Sequence, residues 1–223
     1  MEKPVETDLK KRLTLPNCPV CGQLEDELFK LFSDLPQALS YDEKARENFA
    51  QEYGFCPFHT WQLAAFYSER GIAKGFPSLM IALEKYLTDA VKNEPLKKQD
   101  TPLLTKSKDN CRVCRLLQSE EKNSLALLAD YLKTPAGKAA YSDSDGLCLQ
   151  HLASLISVVK SDDIASMLLT HAIQHLLEIT SDLITYDKKN EARQRHTCTK
   201  NEKNAPRRAL NFIAGLKSIS FIP

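Results

Sequence analysis

Eight residues carry the chemistry of this sequence, and they fall into two matching sets. The first is Cys18-x2-Cys21 followed, after 34 residues, by Cys56-x2-His59. The second is Cys111-x2-Cys114 followed, after 33 residues, by Cys148-x2-His151. A Cys-x2-Cys turn aims two thiolates at one point. A Cys-x2-His at a helix start places both ligands on one face of the first turn, because positions i and i+3 are neighbours there. The positive end of the helix dipole also favours the thiolate that binds metal. Three sulfurs and one imidazole nitrogen make a tetrahedral shell suited to structural Zn²⁺. Four protein ligands leave no position for a reactive water, so the pattern argues for structure over hydrolysis. The expectation is two zinc ions per chain, one held by Cys18, Cys21, Cys56 and His59, the other by Cys111, Cys114, Cys148 and His151. An iron–sulfur cluster is the alternative cofactor. It ranks second because such clusters usually take four cysteines.

The spacing is a repeat. Asn17-Cys18-Pro19-Val20-Cys21 matches Asn110-Cys111-Arg112-Val113-Cys114, and Gly54-Phe55-Cys56-Pro57-Phe58-His59 matches Gly146-Leu147-Cys148-Leu149-Gln150-His151. Leu24, Glu27, Leu63 and Ile81 match Leu117, Glu120, Leu155 and Ile173. A unit of about 90 residues is therefore written twice, too few copies for a solenoid.

The elements that must position these ligands read as helices. Leu24, Leu28, Leu31 and Phe32 recur at helical spacing after the first cysteine pair. Ser40-x2-Glu43 reads as a capping box opening a helix to about Tyr53, which Gly54 stops. Pro57 suits the first turn of a helix running to about Arg70, and another covers about Pro77–Lys92. The second copy reads as helices over about Arg115–Leu132, Pro135–Tyr141, Leu149–Val159 and Asp162–Tyr186, the last capped by Ser161. Few glycines (7 among 223 residues) speak against a β-sandwich or barrel. The expected fold is all-α: a tandem duplication of a helical unit, each copy closing its own metal site. The division is residues 1–93 as first repeat, 94–110 as linker, 111–186 as second repeat, 187–208 as a basic flexible segment and 209–223 as an apolar C-terminal segment.

Some residues outside the two sets also stand out. His171 and His175 lie four apart on one helix, where the first copy has Leu79 and Leu83. They read as core histidines or as a ligand-binding pair found only in the second copy. Without the Glu of a His-Glu-x2-His motif they do not suggest a protease. His196 and Cys198 read as exposed residues of the basic segment. Trp61, two residues after His59, reads as core packing beside the metal.

Composition bounds the function. A net charge of +1, with 30 Lys plus Arg against 29 Asp plus Glu, excludes a uniformly polyanion-seeking protein. The basic stretch 187–208 lacks interleaved aromatics, so nucleic-acid binding is only weakly supported. No apolar run approaches a membrane span and no signal peptide is visible, which points to the cytoplasm. An odd cysteine count of 7 fits metal ligation better than a disulfide framework. No phosphate loop, nucleophile elbow or dinucleotide fingerprint is present, so the balance is against an enzyme.

Cys18-Pro19-x-Cys21 near the start and Gly54-Phe55-Cys56-x2-His59 before a helix, with their second copies, resemble the motifs of a family of prokaryotic cytoplasmic proteins of uncharacterised activity. The likeness covers about residues 15–185. The second copy departs from it at Arg112 and Leu147. The resemblance implies an all-α, zinc-binding protein and brings no activity with it. The resulting reading is a non-enzymatic zinc-stabilised helical module that works through a protein partner or self-association. The alternative is a metal-dependent redox or sensing protein.

Overall fold

The computed structural model describes residues 4–92 and 110–218. The expected linker lies almost wholly outside them, as do residues 219–223 of the apolar C-terminal segment. Among the described residues every regular element is helical. In chain order these are α1 (Pro4–Leu13), α2 (Pro19–Tyr41), α3 (Glu43–Gln51), α4 (Pro57–Ala64), α5 (Glu69–Gly75), α6 (Pro77–Lys92), α7 (Arg112–Tyr131), α8 (Pro135–Ser142), α9 (Leu149–Val158), α10 (Asp162–Glu191) and α11 (Lys200–Ala214). A 3-10 turn, Arg195–Thr197, precedes α11.

The chain folds into two compact units, and neither is a sequence repeat. Among the described residues, one is built from those up to Glu25 together with residues 120–218; the other spans Asp26–Ser119. The boundaries fall inside α2 and α7. These units do not coincide with the division expected from the sequence, residues 1–93 and 111–186. Each unit takes the first turns of one repeat's long helix and the Cys-x2-His helix of the other.

The unit of residues 26–119 packs an aromatic core. Phe49 meets Phe55 edge-on at 5.1 Å and Phe76 at 5.5 Å, while Phe32, Leu39 and Leu63 are fully buried. Such ring pairs add specificity beyond area burial. In the other unit Leu128, Leu132, Leu155 and Leu168 are fully buried, and Tyr141 nearly so. There α11 packs along α10, and Arg208 of α11 bonds Asp182 of α10 at 2.7 Å.

Local details depart from expectation where side chains found other partners. The α2 helix ends at Tyr41 and Asp42, not Ser40, caps α3 by accepting from the Lys44 N–H. The Ser40 hydroxyl instead meets the Tyr67 hydroxyl at 3.1 Å. The helix expected to reach Arg70 stops at Ala64, and Ser68 caps a separate α5 through the Gly71 N–H. Ser161 caps α10 as expected.

The basic stretch 187–208 carries regular structure. It completes α10, turns, and opens α11 with a capping box in which Thr199 and Glu202 each satisfy the other's backbone N–H. Lys189 reaches Glu202 at 2.7 Å, so part of its charge is neutralised within the fold. Residues 209–214, expected to belong to the apolar terminal segment, complete α11.

Trp61 is corrected as well. It is 78 % exposed, whereas His59 and Leu63 on the same helix are fully buried. A step of two residues turns the side chain about 200° around the helix, away from the face that His59 buries.

Candidate metal centres

All four ligand pairs occupy helix beginnings. Cys18 immediately precedes α2 and Cys21 lies in its first turn; Cys111 and Cys114 do the same for α7. Cys56 and Cys148 are the N-caps of α4 and α9, with His59 and His151 one turn on. The two N-caps share a backbone conformation, φ −63° and ψ 161° at Cys56 against φ −66° and ψ 161° at Cys148. Each follows a glycine with positive φ, +71° at Gly54 and +73° at Gly146. Neither cysteine uses its side chain to cap its helix. The sulfurs point instead into the clusters described next.

The pairing crosses between the repeats. Cys18 and Cys21 join Cys148 and His151, while Cys56 and His59 join Cys111 and Cys114. The expectation that each repeat closes its own site is overturned by this grouping, although all eight residues enter a cluster. The physical reason lies in the long helices: the compact units exchange the starts of α2 and α7, so each Cys-x2-Cys turn is completed by the other copy's Cys-x2-His.

The spacings test whether a metal fits. A tetrahedral ion with three sulfurs near 2.3 Å and one nitrogen near 2.0 Å implies S···S of about 3.8 Å and S···N of about 3.5 Å. Cys21 Sγ and Cys148 Sγ are 3.7 Å apart, and Nδ1 of His151 lies 3.4, 3.3 and 3.2 Å from the sulfurs of Cys18, Cys21 and Cys148. In the other cluster Cys56 Sγ and Cys114 Sγ are 3.9 Å apart. There Nδ1 of His59 lies 3.2, 3.6 and 3.3 Å from Cys56, Cys111 and Cys114. All seven cysteines are free thiols rather than disulfides. The donor set and its dimensions match one tetrahedral ion per cluster.

Both clusters are closed to solvent. Their eight residues are all buried, His59, Cys111 and Cys114 completely. Two helix N-termini converge on each cluster, and their partial positive charge offsets the excess negative charge of three thiolates.

Burial alone would make His151 less basic, but hydrogen bonds with Cys148, Cys18 and Glu121 outweigh it and raise its pKa to about 12. Cys148 is lowered below the ordinary thiol range, chiefly by hydrogen bonds from Cys18 and Cys21, while Cys21 is raised by its bonds to Cys148 and Cys18 and by burial. In the second cluster burial would raise Cys111, yet hydrogen bonds from His59 and from the Cys56 backbone bring it down to about 6. Burial raises Cys56 and Cys114. Partly protonated thiols must give up those protons before all three sulfurs can bind a cation.

Beyond the ligands the clusters differ. Nε2 of His151 faces a carboxylate oxygen of Glu121 at 3.5 Å. Nε2 of His59 is buried and has no hydrogen-bond partner among the described residues. In sequence register the counterpart of Glu121 is Leu28, which is buried. Repeat matching could not find Glu121 because the repeat breaks there; its only sequence signal is a place two turns beyond Cys114 on the same helix.

Asn17 is another residue that sequence reasoning missed. It adopts φ +79°, donates its N–H to Asp145 at 3.0 Å, and accepts from the Asn211 amide at 2.7 Å. It thereby ties the turn before Cys18 to the loop before Cys148 and to α11.

His171 and His175 enter neither cluster. They line a polar cleft of about 740 Å³ with Asp145, Asn204 and Arg207 in the same unit. The His171 ring packs against Tyr141 in a tilted arrangement, centroids 4.9 Å apart, and its edge abuts Gly146. Burial and the neighbouring Arg208 charge lower the pKa of His175. Cys198 stands apart from the clusters too, but it is buried rather than exposed on a tail.

A model of a protein family of unknown function, DUF6062, matches residues 4–219. The chain belongs to this family. The match runs through both DUF6062 clusters and through α11, so the crossed arrangement lies within the family's span. No curated protein and no solved structure matches. Among the described residues, no helix of this DUF6062 member is long and apolar enough to cross a membrane.

Proposed function

We propose that the protein is a non-enzymatic helical module held together by two structural zinc ions, one in each crossed cluster. The observation that carries this reading is the closed tetrahedral set of three sulfurs and one nitrogen, buried and formed twice. Four protein donors leave no open coordination position, which suits a structural ion rather than a catalytic one. The cytoplasm, which keeps thiols reduced, is the proposed location.

We place its activity in contacts with a protein partner or a second copy. Exposed apolar residues on α6 (Leu87, Val91) and on α10 (Ile173, Leu177, Ile184) support this, since they recur at helical spacing. The test of the metal is elemental analysis with a visible spectrum after anaerobic purification. The reading expects about two zinc per chain and no colour. Iron with a brown chromophore would replace it with a redox or sensing role, the second reading, which the thiol-rich donor sets support.

A further inference from the structure

We infer that the two centres are unequal: the centre of Cys56, His59, Cys111 and Cys114 releases its ion first, and that of Cys18, Cys21, Cys148 and His151 holds its ion more tightly. The inference rests on the metal reading above and adds an order of release to it.

In both clusters it is Nδ1 that faces the sulfurs. Coordination through Nδ1 obliges the ring to carry its proton on Nε2. In the first centre that N–H meets the Glu121 carboxylate, which orients the ring and makes Nδ1 a stronger donor. In the second centre the N–H is buried with no acceptor among the described residues. Leu28, which is 5 % exposed, stands at the register position of Glu121 and offers no acceptor atom. Binding metal there fixes a buried donor in an unsatisfied state, which lowers affinity. Loss of such an outer partner typically weakens metal affinity 10–100-fold. One contact runs the other way: the Cys56 N–H lies 3.4 Å from Cys111 Sγ. That bond also withdraws charge from a donor sulfur, so it does not replace the missing carboxylate.

The consequence is graded behaviour. As free zinc falls, the unit of residues 26–119 would lose its ion first while the other unit stays closed. The chain would then pass through a state with one ion.

The experiment equilibrates the zinc-loaded full-length chain in chelator buffers of graded free zinc. Free thiols are then pulse-alkylated and mapped by mass spectrometry. The expected result is that Cys56, Cys111 and Cys114 become labelled at about 10–100-fold higher free zinc than Cys18, Cys21 and Cys148. Glu121→Leu should bring the two sets together, whereas Glu121→Gln, which keeps an acceptor oxygen, should preserve most of the gap. Labelling of both sets at the same free zinc, or in the reverse order, overturns the inference while leaving the metal reading intact. Labelling that ignores free zinc altogether overturns both.

Discussion

Cys21 and Cys148 are 127 positions apart in the chain, and their sulfurs lie 3.7 Å from each other. Cys56, which sequential order would make the partner of Cys21, instead has its sulfur 3.9 Å from that of Cys114. The crossing changes what a single cysteine substitution should do.

Cys18→Ala should damage the unit that contains residues 120–218 and spare residues 43–92. Cys56→Ala should do the reverse. Hydrogen exchange read by mass spectrometry checks this, with lost protection expected in the unit that shares the cluster. The loss should be large, since structural zinc contributes on the order of 10 kcal/mol of folding free energy in small modules. Loss of protection along a single sequence repeat would contradict the crossed arrangement.

Cutting the chain between its repeats should separate ligands that belong together. Residues 1–93 alone hold Cys18 and Cys21 from one centre and Cys56 and His59 from the other. Expressed singly, each half should bind zinc weakly and fold poorly. Co-expressed, the halves should associate and retain about two zinc per pair. Native mass spectrometry distinguishes these outcomes.

Metal binding should release protons. At neutral pH the metal-free cluster holds a proton on His151, whose value is raised to about 12, and Cys21 is held protonated as well. A bound cation displaces them, so lowering the pH favours release. Affinity should fall with acid, and in the other centre the fall should steepen below about pH 6, where Cys111 gains a proton. Calorimetry in buffers of differing ionisation enthalpy should report about one or more protons per ion.

Gly146→Ala should cost more than Gly54→Ala. Both positions have positive φ, so both variants carry backbone strain on the order of 1 kcal/mol. A Cβ at Gly146 would meet the His171 ring at 2.9 Å, whereas at Gly54 it would meet a Leu79 methyl at 3.1 Å. A ring packed against Tyr141 yields less readily than a methyl that can change rotamer. Denaturant midpoints of the two variants give the comparison.

His175 should make stability sensitive to mild acid. Its folded value is depressed, by burial first and by Arg208 second, while Asp145 and Glu178 act in the other direction. The unfolded chain therefore binds the proton more readily. The stabilisation is present above the unfolded value of about 6.5 and is lost as pH falls through the folded one. Replacement by Gln should flatten the dependence of stability on pH between about 7 and 5.

The helical class and most of the helices were legible because the apolar spacing, Pro57 and Ser161 act locally. The ligand residues were legible for the same reason: cysteine pairs at three-residue spacing announce themselves. Their partners were not, because spacing along a chain says nothing about which of two equivalent sites closes on which. Trp61 misled because nearness to His59 in sequence is not nearness in space on a helix. The stretch 187–208 misled by composition. Its charge suggested solvation, but Lys189–Glu202 and Arg208–Asp182 use that charge to pin α11 to α10. Glu121 stayed hidden because it is where the repeat fails.

The crossing also fixes an order of assembly during synthesis. When the first repeat has left the ribosome, it carries half of each centre and can complete neither. The centre of Cys56 and His59 becomes complete only when Cys111 and Cys114 emerge. The centre begun by Cys18 and Cys21, the earliest ligands made, waits longest, until Cys148 and His151 appear. A nascent chain therefore presents unmatched thiols for most of its synthesis. The ligands translated first must stay reduced and uncommitted until the last ones arrive.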